Sequence, residues 1–129
     1  MKLVVTEQGS ELAAELWKTR HPAASSVLSY PEGRAALAAA RRAGRLSAGA
    51  HRASLEDFEA TQDELLVIGV DTALARHAGE LAEELGLRGY DAVHLASALA
   101  LGASTALVTW DTELARAGAD VGCAVAPAP

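Results

Sequence analysis

The sequence predicts an α/β fold: a small parallel sheet flanked by helices. Three observations lead there. Apolar runs of strand length alternate with Ala- and Leu-rich stretches of helical period, and capping residues, Pro or Gly stand at the junctions between them. The length, 129 residues, fits one folding unit, so residues 1–129 are read as a single domain. Half of the residues are apolar yet only five are Phe, Trp or Tyr, which leaves Ala, Leu and Val to build the core.

Each element has its own justification. Gly9 and Ser10 before Glu11 read as a helix start, with Leu12, Leu16 and Trp17 recurring at helical spacing to about Arg20. "AASSVLS" (23–29) is a short strand, and it feeds the helix "YPEGRAALAAARRAG", where Pro31 suits the first turn and Gly44 the stop. "LSAGAHRASLEDFEATQDEL" (46–65) reads as a longer helix. "LLVIGV" (65–70) is a strand, and Asp71 with Thr72 caps the helix "ALARHAGELAEELGL". The helix "YDAVHLASALALG", the strand "TALVTW" (105–110) and a short helix from Asp111 to about Ala117 follow, and "GCAVAPAP" supplies a last small strand. Strands alternating with helices place a parallel sheet between helical layers.

Composition excludes several classes. The single Cys123 rules out an internal disulfide, and no Cys and His pair has a zinc-like spacing. Only four residues separate Lys2 from Glu7, too few for a signal-peptide core, and no run approaches the roughly 20 apolar residues of a membrane span. A soluble, cytoplasmic protein is expected. A net charge of −6 argues against wholesale capture of nucleic acid. Locally the balance reverses: Arg34, Arg41, Arg42, Arg45 and Arg52 stand in a stretch with no acid. That block either meets RNA phosphates or an acidic partner, or is a solvated helix face.

Ligands of open parallel sheets gather outside the carboxyl ends of the strands. Asp111 directly follows one apolar strand, Glu32 follows another, and Asp91 begins a helix that runs back beside them. Singly, each acid has a capping or helix-dipole reading. Together they share one edge of the sheet, which capping does not require. Clustered carboxylates stay ionised when a cation compensates them, and an all-oxygen set selects Mg²⁺ or Mn²⁺. Such ions act on phosphate esters, so phosphodiester hydrolysis is the expected reaction.

The same residues carry a resemblance. "YDAVHLASAL" with "LVTWDTELARAG" resembles the carboxyl-terminal half of PIN-domain ribonucleases, in particular VapC-type toxins of bacterial toxin-antitoxin pairs, and "SSVLSYPEGRAAL" is similar to the segment holding that family's second acid. The resemblance implies a PIN-like three-layer fold and a Mg²⁺-dependent endoribonuclease (Mn²⁺ as the other candidate). It assigns Glu32, Asp91 and Asp111 as metal-site acids and Thr109 as a residue that orients a ligand or the attacking water; a plain polar strand end is the other reading of Thr109. RNA, a cognate antitoxin and a homodimer are the implied partners. His94, one turn after Asp91, is expected to be structural, because hard oxygen-ligated ions do not seek imidazole. Trp110 either touches bases or packs.

One departure stands beside these matches. The family opens with a strand ending in Asp, then a helix finishing much like "KLVVTEQGSE", so this chain is expected to begin inside that helix and to lack the central strand and the first acid. A start assigned too far downstream and a truncated gene are the two explanations, and the DNA upstream of Met1 separates them. A missing central strand would leave bare sheet edges. Two further functions stay open on this reading: an impaired PIN remnant that only binds the antitoxin, and a small-molecule phosphatase indifferent to RNA.

Overall fold

Backbone polar groups beneath packed helices must pair with one another, and the apolar runs do so as one parallel sheet. The computed structural model describes residues 23–126 and the backbone of residues 2–5. Its strands are β1 (Lys2–Val5), β2 (Ala23–Ser26), β3 (Leu66–Ile68), β4 (Thr105–Val108) and β5 (Ala124–Ala126). Its helices are α1 (Ser29–Arg42), α2 (Ala48–Glu64), α3 (Thr72–Leu85), α4 (Gly89–Ala100) and α5 (Thr112–Asp120). The sheet order is β3-β2-β1-β4-β5, and every pairing is parallel. The sheet with α3 to α5 forms one unit, and Leu28–Leu65, carrying α1 and α2, forms another.

The position of β1 corrects an expectation. Residues 2–5 were expected to continue a helix and the central strand to be missing; instead Leu3 pairs with Ala23 on one side and Ala106 on the other. The physical reason is local. Leu3, Val4 and Val5 are apolar and rich in β-branched side chains, and seating them between β2 and β4 satisfies two rows of backbone groups that would otherwise be bare. Thr6 and Glu7, which follow this strand, lie outside the described residues, as does the helix expected from Ser10 to Arg20.

In the first unit, β2 and β4 are buried at all positions. Since successive side chains point to opposite faces, both faces of these strands are covered. Helix α4 packs on β1, β2 and β4, with Ala92, Leu95, Ala96, Ser97 and Ala98 all at most 1 % exposed. Small residues allow that close approach. Leu81, Leu87, Leu107 and Leu114 complete the core, each burial stabilising by roughly 1.5–3 kcal/mol. At the sheet margin β3 departs from the core pattern that "LLVIGV" suggests: Leu66 and Val67 are 54 % and 53 % exposed.

The second unit is a helical hairpin. Ser47 caps α2 by accepting the Ala50 N–H at 3.1 Å, and Gly44, where the α1 stop was expected, has a left-handed φ of 77°. The two helices meet through aromatic rings: Tyr30 lies 5.7 Å from Phe58 between centroids. Beside them the Tyr30 hydroxyl donates to Glu59 Oε1, and Arg34 donates to the same oxygen at 3.0 Å. The Tyr30 hydrogen bond, then Arg34, holds the Glu59 carboxyl below its ordinary range. Arg34 is therefore committed to the hairpin itself, whereas Arg42, Arg45 and Arg52 are exposed.

Candidate metal centre

Two element junctions build the site. The first is the start of α4, whose N-cap residue, Arg88, makes no side-chain capping bond. Asp91 lies in the first turn, where negative charge suits the helix dipole, and it is 9 % exposed. Asp91 is no cap. A carboxylate so nearly removed from water needs a cation beside it, and Arg88 Nε donates to Asp91 Oδ2 at 2.9 Å.

The second junction follows β4. Thr109, 2 % exposed, donates its N–H to Ala126 O at 3.0 Å, while its Oγ1 accepts the Asp111 N–H at 3.0 Å. That hydroxyl fixes the turn on which Asp111 stands. Asp111 is the N-cap of α5: Oδ1 accepts from Glu113 N at 2.9 Å and Leu114 N at 3.0 Å. Its other oxygen, Oδ2, lies 3.7 Å from Arg88 Nη2. Capping and charge thus use different oxygens of one side chain.

Arg88 consequently spans Asp91 and Asp111, which are twenty residues apart in the chain. Its guanidinium is held more firmly protonated than usual, chiefly by the hydrogen bond and charge of Asp91, then by Asp111 and Glu113. Neither Arg88 nor Glu113 was singled out by the sequence reading. The spacing of Arg88 three residues before Asp91 was the available signal.

The remaining candidates have distinct places. Glu32 stands exposed in the first turn of α1, in the helical-hairpin unit, its N–H donating to Leu28 O at 3.2 Å. His94 is fully buried, with neither ring nitrogen hydrogen-bonded among the described residues and its ring 4.4 Å from that of Tyr90, edge-on. Burial pushes the His94 pKa down to about 4, against the opposing charge of Asp91, so the ring is neutral near pH 7. Trp110 is half-buried. Asp71 caps α3, accepting the Leu74 N–H at 2.8 Å.

Among the described residues no group of three or more His, Cys, Asp or Glu side chains stands close enough to hold a metal ion. Two carboxylates, Asp91 at the start of α4 and Asp111 after β4, do suit a hard ion, since Mg²⁺ takes one or two carboxylates and keeps several waters. The donor chemistry fits.

A family model described as PIN domain matches residues 2–120. The chain is a PIN-domain protein. Within that family it is of the VapC type: it is 44 % identical over 129 residues to ribonuclease VapC45 of Mycobacterium tuberculosis, covering 99 % of this chain and 90 % of the relative. Among solved structures, this PIN domain is similar to PAE2754 of Pyrobaculum aerophilum, with a TM-score of 0.69, 25 % identity and 90 % and 83 % of the two chains covered. A toxin-antitoxin complex from Klebsiella pneumoniae contains a chain of the same fold, with a TM-score of 0.70, 18 % identity, and 99 % and 98 % coverage. Both stretches quoted for the resemblance, 90–99 and 107–118, therefore lie in a PIN domain, where they form α4 and the β4–α5 junction.

Proposed function

We propose that this chain is an endoribonuclease acting as the toxin of a toxin-antitoxin pair, with Mg²⁺ or Mn²⁺ as its cofactor and Asp91 and Asp111 as acids of its metal site; Glu32 is a candidate acid by sequence pattern and family resemblance alone. One observation carries the proposal: Asp91 Oδ2 and Asp111 Oδ2, from separate elements, converge on a single cationic group, Arg88 Nε at 2.9 Å and Nη2 at 3.7 Å. The 44 % identity to a ribonuclease supports the choice of RNA, and the likeness to a chain from a toxin-antitoxin complex agrees in fold with the choice of partner. Among the described residues no helix is long and apolar enough to cross a membrane. Action on RNA in the cytoplasm is part of the proposal. A cognate antitoxin and a second copy of the chain complete the proposed assembly.

Asp91 and Asp111 would hold the ion, which when bound would supply polarisation of a phosphoryl oxygen and a water of lowered pKa. The protein's own contribution is placement. Asp91 is held by a helix turn, and Asp111 is held by its two capping bonds with Thr109 behind them, so neither carboxylate must reorganise as charge builds on the phosphate. Water forms the new bond to phosphorus, one ester P–O bond breaks, and the departing ribose oxygen takes a proton. Arg42, Arg45 and Arg52 supply positive charge for the RNA backbone or the antitoxin.

Cleavage of RNA by the full chain in Mg²⁺, compared with Asp91→Asn, Asp111→Asn and the capping control Asp71→Asn, tests this. The first two should lose about 10²-fold or more in rate, because each removes charge from an interaction worth several kcal/mol. Asp71→Asn should cleave like the parent. Equal cleavage by all four proteins would remove the site assignment. Antitoxin binding with no cleavage by the parent would favour a binding-only module, and turnover of simple phosphomonoesters instead of RNA a phosphatase.

A further inference from the structure

The guanidinium of Arg88 lies against Asp91 Oδ2 and Asp111 Oδ2, the oxygens of the proposed metal site. Asp111 has committed Oδ1 to Glu113 N and Leu114 N, so only Oδ2 remains for a cation, and Oδ2 is the oxygen that faces Arg88 Nη2. Asp91 likewise turns Oδ2 to Arg88 Nε. A hard ion and a guanidinium disfavour each other on this oxygen pair, since like charges repel and each oxygen has few directions free. Arg88 is also easy to displace: its side chain is 77 % exposed, and no capping bond holds it.

We propose that Arg88 is a built-in counter-ion that competes with the divalent ion for Asp91 and Asp111 and, once displaced, binds a phosphate of the RNA. The inference rests on the metal-site reading above. Without the ion, Arg88 neutralises a carboxylate that is nearly buried and could not stand unpaired. With the ion bound, the guanidinium turns outward but stays tethered three residues before Asp91. Its planar fork of donors matches a phosphate's oxygens there. The exchange gives Arg88 two partners of one chemistry, carboxylate oxygens before loading and phosphate oxygens after it.

Calorimetric titration of Mn²⁺ into the full chain, its Arg88→Gln and Arg88→Lys variants and Asp91→Asn measures the competition directly. Circular dichroism of the same samples establishes that each is folded. The Arg88→Gln variant should bind Mn²⁺ roughly tenfold tighter than the parent, the coupling expected when a competing charge is removed. Its KM for RNA at saturating Mn²⁺ should rise several-fold while kcat changes little, a split that a purely structural role does not produce. Arg88→Lys, which keeps the charge, should stay near the parent in Mn²⁺ affinity. Unchanged or weaker Mn²⁺ binding by Arg88→Gln, or an unchanged KM, overturns the inference while leaving the metal site standing. If Asp91→Asn binds Mn²⁺ as well as the parent does, the metal-site reading fails and the inference fails with it.

Discussion

Asp111 performs two tasks with two oxygens, and the tasks can be separated by substitution. Asparagine keeps a capping oxygen and loses the charge; alanine loses both. Asp111→Ala should therefore lower stability by about 1 kcal/mol and Asp111→Asn by only a few tenths, while both lower metal-dependent cleavage by about 10²-fold or more. Thermal unfolding in the absence of metal checks the first part. Capping and metal binding are thus compatible readings of this residue, which is why sequence alone left both open. The places of Asp91 at a helix start and of Asp111 after an apolar strand were legible from the pattern, while Thr109 was named only through the family resemblance. Arg88 was not, because an isolated arginine between Leu87 and Gly89 has the pattern of any solvated charge, and only the approach of Asp111 gives it a second partner. His94 makes a pH prediction at the same scale. Its folded pKa of about 4 lies below the ordinary 6.5, so between these values the unfolded chain binds more protons and stability falls as pH falls. The contribution is complete above about pH 6.5 and is lost by about pH 4, to the extent of roughly 3 kcal/mol. Urea unfolding from pH 7 to pH 4 should show a shallower decline for His94→Leu than for the parent.

At the scale of elements, the α1–α2 hairpin depends on an absent methyl group. A Cβ at Gly33 would lie 2.3 Å from Phe58 Cε2, and an aromatic ring cannot yield as a flexible chain end does. Gly33→Ala gains about 1 kcal/mol of helix propensity but incurs overpacking of about 1–3 kcal/mol. The ring clash should win: a lower thermal midpoint is expected, partly recovered by adding Phe58→Leu, a coupling readable in a double-mutant cycle. Equal midpoints for the parent and Gly33→Ala would show that the hairpin accommodates the methyl group. Most elements beyond Ala23 were readable in advance, since Pro31, Gly44 and Asp71 punctuate regular apolar patterns. Residues 2–5 were not. A four-residue run such as KLVV is short enough to suit a helix end or a strand, and what decides is the pair of open edges on β2 and β4, which is tertiary information. The exposure of β3 escaped for a related reason: an unbroken apolar run suggests burial, and only the sheet order puts it at the margin.

Over the whole molecule, topology brings the α4 start and the end of β4 together, so acids separated in sequence meet at the carboxyl side of the sheet, where the general behaviour of parallel sheets locates ligands. A chain of net charge −6 can still act on RNA if its negative charge is gathered where a cation is wanted and its arginines where a phosphate is. Glu32 is the acid for which sequence pattern and family likeness carry the assignment, because it lies in the helical-hairpin unit. If Asp91 and Asp111 jointly hold a hard cation, crystals of the protein grown with Mn²⁺ will show it by anomalous diffraction. The expected result is an anomalous peak bonded to both carboxylates, with Arg88 turned away from them; Mn²⁺ bound to neither, with Arg88 still bridging Asp91 and Asp111, would overturn the metal site.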